Sequence, residues 1–459
     1  MNRRHEVTAG NHQIPLRRRV INASVWSLGG FGASQVIRFG GNLIMTRLLA
    51  PDMFGVMAVA TVIMSTLAVF SDLGLKQSVI QSKRGSDPSF LNTIWTIQIL
   101  RGFQLGLAAL AVAIVVGVVT HYGWISTDSV YADPRVPYVI ASVSVTAIIT
   151  GFASTKVYQA SRDLQIGKLT LIEVAAQIAG LASMLGWIAV DRSIWALVAG
   201  SISAATTSSC LSHFMLPGHK SRWEWNRPVI REIMQFGKWI LLTSIVGSLI
   251  ANLDRLLLAA MVDPTTLGIY AIAFNMFLSI EQLLMRVVAG IAYPAISEVV
   301  RNRPDNLKRA YYKIHPVVAS LAYAATGFLG SFAPRLIALL YDARYADAGW
   351  MLQVLSIGLI MTPFQLALQT FMALNMPKIN YAVAVLRLTL ILVAMPAGFW
   401  ILGLQGALVG LVLSSVACTI AILFVSAKVG ILDAPRELLP LPAAAVGLIA
   451  GNLLSSIHS

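Results

Sequence analysis

The chain has 459 residues, of which 57% are hydrophobic and only 12% charged, with a mean hydropathy of +0.73. A soluble domain carries roughly twice that charge, so apolar runs of about 20 residues read as membrane helices. The net charge of +14 invites a nucleic-acid reading, but its distribution along the chain excludes it in favour of a membrane topology.

Thirteen spans are predicted, at about 20–48, 53–80, 90–119, 136–160, 168–190, 194–215, 234–262, 266–299, 311–332, 347–374, 380–402, 405–428 and 438–457. The polar start, Met1 to Arg19, leads straight into a full-length span, so no cleavable signal peptide is expected. With the N-terminus inside, the cytoplasmic segments are the tail, 82–89, 156–168, 216–238, 300–313, 375–387 and 427–437. They hold 24 of the 34 Lys and Arg. The outer loops hold only Arg135, Arg192, Arg335 and Arg344. This positive-inside bias fixes the expected orientation, and the basic balance reports topology and anionic lipid.

In the first span Gln35, Arg38, Asn42 and Thr46 are spaced by three and four and share one face. Such a face is either a polar seam between helices or a cavity lining; Arg38, far from either end, favours the cavity. Asp72 and Lys76 in the second span form an i, i+4 pair that either neutralises itself or carries a proton or ion. Arg101 lies about 16 Å into the third span with no acid one turn away, so its partner or ligand must come from elsewhere. Glu173, close to the cytoplasmic end of its span, reads as interfacial rather than as a proton-responsive carboxylate. The linker 216–233 carries Lys220, Arg222, Arg227 and Arg231 around Trp223 and Trp225. In a soluble protein this would suit single-stranded nucleic acid; here it reads as a segment lying on anionic lipid.

The seventh span repeats the first. A shift of 213 positions superposes Pro51 on Pro264, Gly55 on Gly268 and Asn42 on Arg255, and Ser244, Ser248, Asn252 and Arg255 share one face. Asp254 stands beside Arg255, and a charge at that depth costs about 2.5 to 3.5 kcal/mol unless it faces protein or a wet cavity. In the eighth span Asn275, Ser279, Gln282, Arg286 and Tyr293 form another stripe, with Glu281 turned away from Arg286. The remaining spans add little charge at depth. Gly406 with Gly410, and Gly447 with Gly451, allow close helix contact. The seven histidines fall mostly in tails and loops, and Cys210 and Cys418 stand alone, so no metal site or disulfide framework is expected. No HExxH, GxSxG, P-loop or GxGxxG occurs, which argues against an ATPase or common hydrolase.

The run Asn252 to Arg255 with Leu267-Gly-Ile-Tyr-Ala271 and Tyr293-Pro-Ala-Ile-Ser297 resembles the polysaccharide transporter family. Thr46 to Gly55 and Ser71-Asp-Leu-Gly-Leu75 carry the same resemblance. These are Wzx-like flippases of undecaprenyl-diphosphate-linked oligosaccharides, within the multidrug and oligosaccharidyl-lipid flippase (MOP) superfamily. The resemblance implies an all-α polytopic membrane protein with two six-helix lobes in a V, alternating access, and about one extra C-terminal helix. The lobes would be 20–215 and 234–428, flanked by the tail 1–19 and the helix 438–457. The implied location is the bacterial inner membrane, with a lipid-linked oligosaccharide as substrate. Membrane lipids, a polysaccharide polymerase and the export machinery are the implied partners.

Anion capture is the expected chemistry, because a diphosphate and its sugars cannot cross hydrocarbon unaided. Arg38, Arg101, Arg255 and Arg286 would bind phosphate, with Gln35, Asn42, Asn252 and Gln282 on sugar hydroxyls. Asp72, Asp254 and Glu281 are the candidates for a coupling ion, H+ or Na+, and no other cofactor is expected. A MATE-like drug or cation antiporter should instead line its cavity with acids. A polytopic glycosyltransferase should show catalytic carboxylates and a sizeable outer domain. A scaffold would need no mid-membrane arginines.

Overall fold

The computed structural model describes residues 16–287, 293–302 and 304–457. All the regular structure in these residues is helical. The first repeat runs through α1 (Leu16–Leu48), α2 (Pro51–Phe70), α3 (Leu75–Gln81), α4 (Pro88–His121), α5 (Arg135–Gly151), α6 (Lys156–Arg162), α7 (Ile166–Ile188) and α8 (Trp195–Phe214). The second runs through α9 (Arg227–Met261), α10 (Pro264–Val287), α11 (Tyr293–Asn302), α12 (Leu307–Leu340), α13 (Ala348–Ser356), α14 (Gln365–Ala373) and α15 (Pro377–Lys428). The short α16 (Ala434–Leu438) and α17 (Pro442–Ile457) follow.

Helix starts are written in local chemistry. Asp87 accepts a hydrogen bond from the Ser89 amide ahead of Pro88, and Asn226 accepts from the Val229 amide ahead of Pro228. In both, a side chain satisfies an orphan donor and a proline occupies a position with no amide to lose. Asp263 serves α10 in the same way, accepting from the Thr265 and Thr266 amides.

Several predicted spans are interrupted. The span expected at 53–80 breaks at Ser71–Gly74, where Gly74 has φ +61° and its amide donates to Asp72 Oδ1. The span at 136–160 bends by 66° between α5 and α6. At 347–374 a 3-10 stretch, Ile357–Phe364, separates α13 from α14 around Pro363. Conversely, the spans at 380–402 and 405–428 join in α15, whose 52 residues would be about 78 Å if straight. Leu402 and Gly403 leave helical geometry, and Gly398 then faces the Gly406 carbonyl while Gly410 faces that of Ala394. The helix is a hairpin of two antiparallel halves. Among the described residues, eight helices are long and apolar enough to cross a membrane, or nine if α5 and α6 count as one bent span. Helices α1, α8 and α9 fall outside that set; α1 and α9 carry the polar faces singled out above, and α8 is rich in Ser and Thr.

The repeats meet reciprocally. A Cβ on Gly55 would lie 1.9 Å from the Pro264 carbonyl, and one on Gly268 would lie 1.9 Å from that of Pro51. Only glycine permits this backbone contact between α2 and α10. A second exchange flanks it. The Val130 amide donates to Val262 O and the Ser129 hydroxyl to Ala259 O, capping α9 from the loop before α5. At the equivalent carbonyls of α1, Arg344 donates to Leu49 O at 3.3 Å and Thr46 O at 2.9 Å. Each repeat thus closes the C-terminal end of the other's first helix. At the opposite end contact is one-sided: α3 and the start of α4 pack on Val229 and Ile233 of α9 in one apolar cluster. The added helix α17 lies along α12, with Gly327 against Ala444 and Gly447 against Ala324.

Candidate functional site

Three adjoining cavities run through the first repeat, and the middle one opens onto the second repeat. The first, about 350 Å³, lies between α1, α7 and α8 and is lined by Arg38, Asn42 and Gln177. It shares Phe54 and Leu197 with a second of about 180 Å³, into which Arg255 and Asn275 project. Met57 and Thr61 continue into a third of about 380 Å³, where Ser65, Thr146, Thr150 and Ser201 supply hydroxyls. Arg38 is exposed, 3.9 Å from Glu173, and makes no hydrogen bond to the described residues. Arg255 is held more firmly. Its Nη2 donates to Ala251 O and to Asn252 Oδ1, both at 2.8 Å, and its carbon lies 4.6 Å from the Phe274 ring centroid. Asn252 is itself oriented by donating to Ser248 O and Oγ, and Ser65 reaches it at 3.5 Å. Arg255 Nε lies 3.9 Å from Asp254 Oδ1 without a hydrogen bond, and Nη1 has no hydrogen-bond partner among the described residues, which leaves Nη1 as the donor for an anion.

A fourth cavity, about 310 Å³, lies on the other side of Phe274 and is lined by Asp254, Glu281 and Arg387. Asp254 is 4% exposed and accepts a hydrogen bond from Tyr270 at 2.5 Å. This cavity is the second repeat's counterpart of the first: Ile37, Arg38 and Gly41 of one occupy the positions of Ile250, Ala251 and Asp254 of the other. The charges are exchanged. The first repeat places its base on the leading helix and its acid on α7. The second places its acid on the leading helix and its base on α15.

The structure therefore brings Arg38 and Asn42 into one cavity and Asn252 and Arg255 to the next, and places Glu281 apart from them, while Asp254 stays 3.9 Å from Arg255 through its Oδ1. Gln35 and Gln282 are half-buried and make no hydrogen bond to the described residues. The Arg286 side chain lies outside the described residues. Arg101 departs from expectation: its Nε donates to Ser71 Oγ at 2.9 Å and its Nη2 to Ala68 O at 2.7 Å. It clasps the C-terminal end of α2, where a cation meets the helix dipole. Asp72 and Lys76 form no ion pair among the described residues, because the break at Gly74 removes them from one helix. Asp72 instead accepts from Gly74 N, with Ser244 at 3.4 Å. Two residues of the cavities escaped the sequence reading. Glu173, read as interfacial, partners Arg38, and Arg387, counted among cytoplasmic charges, lies ten residues into α15. His315, likewise, is neither in a tail nor in a loop but buried in α12, 3.1 Å from Glu437.

Comparison with known proteins now decides the family. Residues 44–350 match the family described as polysaccharide biosynthesis protein. The chain belongs to this family. Among its relatives is the lipopolysaccharide biosynthesis protein WzxC of Escherichia coli (strain K12), 22% identical over 425 residues, covering 90% of this chain and 82% of that one. The fold is that of the MOP superfamily. The lipid II flippase MurJ, in an inward closed conformation, superposes with a TM-score of 0.67 at 11% identity, covering 95% of this chain and 98% of MurJ. A multidrug resistance MATE family transporter in its inward-facing conformation gives 0.65 at 13% identity, covering 86% and 94%. The protein of this polysaccharide biosynthesis family is thus a multi-pass membrane protein.

Proposed function

We propose that the protein flips undecaprenyl-diphosphate-linked oligosaccharide repeat units across the bacterial inner membrane for surface polysaccharide assembly. The observation that carries this reading is the pair of incompletely bonded arginines in adjoining cavities, Arg38 within the first repeat and Arg255 where the second repeat meets it. A guanidinium stays charged at any physiological pH and binds phosphate through two parallel hydrogen bonds. The hydroxyls of Thr61, Ser65, Thr146, Thr150 and Ser201 suit the sugars. The WzxC and MurJ names support a lipid-linked saccharide as cargo, and the prevalence of arginine argues against a cation exporter.

The lobes are residues 20–215 and 234–428, joined by the linker 216–233 and moving by alternating access. The N-terminus is cytoplasmic, by the distribution of Lys and Arg. The reciprocal caps on α1 and α9 then close the outer end. Asp254 and Glu281 form the ion-coupling locus, for H+ or Na+, beside the substrate path, with Asp254 3.9 Å from Arg255. The protein works as a transporter without a cofactor, alongside a polysaccharide polymerase and export machinery. The test is complementation of a strain lacking the protein, scored by surface polysaccharide and by protein abundance in the membrane. Arg38→Ala and Arg255→Ala should each abolish export at normal abundance, with Lys restoring part of it. Full export by both Ala variants would refute the reading.

A further inference from the structure

Resting on that reading, we infer that Glu173 is a built-in anion that occupies the phosphate place at Arg38 until the diphosphate of the substrate displaces it. A single oxygen, Glu173 Oε1, gathers polar groups from two helices. Ser34 Oγ donates to it at 3.1 Å, Gln177 Nε2 lies at 3.3 Å, and Arg38 Nη2 at 3.9 Å. Gln177 also donates to Ser34 Oγ at 2.6 Å, which ties the donors into one set. Three convergent donors around one anionic oxygen are what a phosphate oxygen requires. The set opens onto the cavity, since Arg38 and Gln177 both line it.

The pair is built for exchange rather than for strength. The side chains of Arg38 and Glu173 are 59% and 57% exposed, so water and salt compete for both, and the 3.9 Å separation is too long for a hydrogen bond. The acid of the second repeat is the contrast: the Asp254 side chain is 5% exposed, bonded to Tyr270, and cannot trade partners without being stranded. A phosphate carries more charge than a carboxylate and can use the guanidinium fork in full, so it outcompetes Glu173 on arrival. When the lipid leaves, Glu173 returns to the donors, which prevents Arg38 from holding product.

The experiment uses the full-length protein in nanodiscs of zwitterionic lipid, titrated at low salt with farnesyl diphosphate, and in a second arm competed with inorganic pyrophosphate. Glu173→Gln keeps the shape and the hydrogen bonds but removes the competing charge. It should bind farnesyl diphosphate up to about fivefold more tightly than the native chain, with the difference closing near 1 M NaCl. Arg38→Ala should bind weakly, and adding Glu173→Gln to it should restore nothing. Competition by pyrophosphate supports the inference; its failure to compete overturns it, because the displaced group would not be the phosphate. Unchanged or weaker binding by Glu173→Gln, with Arg38→Ala still defective, overturns the role of Glu173 and leaves the proposed function standing. Native-like binding by Arg38→Ala removes the site itself, and the proposed function with it.

Discussion

The two repeats agree where their backbones touch and disagree where their charges lie. Gly55 on Pro264 and Gly268 on Pro51 are one contact written twice, and the caps on α1 and α9 use equivalent carbonyls. The cavities beside them are built from equivalent positions of α1 and α9, yet one shows an exposed arginine and the other a buried aspartate. Symmetry preserved in the frame and broken in the lining separates the packing, which both repeats share, from the chemistry of the cavities, which they do not.

The frame is the place to break the comparison most severely. Gly55→Leu and Gly268→Leu drive a side chain into a backbone carbonyl with nowhere to yield, which should cost about 3 kcal/mol or more and deplete the membrane-inserted protein. The two should be equally damaging, because the contact is reciprocal. Measured melting temperatures in detergent would decide; a harmless Leu at either site contradicts the packing. Arg101→Ala comes next. It removes two charge-assisted hydrogen bonds from the end of α2, for about 2 kcal/mol, so abundance and melting temperature should fall together. Loss of export at unchanged stability would instead return Arg101 to the substrate path.

How much of this was readable beforehand follows from what a single helix records. The 213-residue repeat, the polar face of α1, and the Asn252–Arg255 cluster all lie within one period or one offset, and the sequence displays them. Arg38 and Glu173 are 135 positions apart, so no spacing connects them, and Glu173 reads as interfacial until α7 is packed on α1. Arg387 falls both in the span expected at 380–402 and in the cytoplasmic segment 375–387, and counting it with the segment hides its place ten residues into α15. Arg101 has no acid one turn away on its own helix, and the carbonyl it meets on α2 is a partner that no residue identity reveals. The break at Gly74 turns on one left-handed residue inside an otherwise continuous apolar run.

Smaller effects sharpen the reciprocal caps. Arg344→Ala should free the Thr46 and Leu49 carbonyls and weaken closure of that end by about 1 kcal/mol, or roughly fivefold in the open fraction. A cysteine at Asn275, labelled by a membrane-impermeant maleimide from the outer side, would report it; no gain in labelling over the Arg344-containing protein would deny the cap a gating role. Acidity should do least of all. The hydrogen bond from Arg344 holds the Asp342 carboxyl below its ordinary value of 3.8. A carboxyl depressed in this way contributes at every pH above its ordinary value, and that contribution fades only as pH falls through the depressed one. Labelling at 275, divided at each pH by that of a fully exposed cysteine so that the thiol's own titration cancels, should therefore be flat from about pH 5 to 9, and a rise in that ratio would point to another titrating group at the cap.

The central claim is that transport runs through the basic cavity of the first repeat, and one measurement addresses it directly. Purified protein in proteoliposomes is given a fluorescent lipid-linked oligosaccharide, and its appearance in the opposite leaflet is followed by a quencher that cannot cross. The native chain should move it, and Arg38→Ala, reconstituted at the same density and with the same melting temperature, should not. Undiminished flipping by Arg38→Ala would contradict the account.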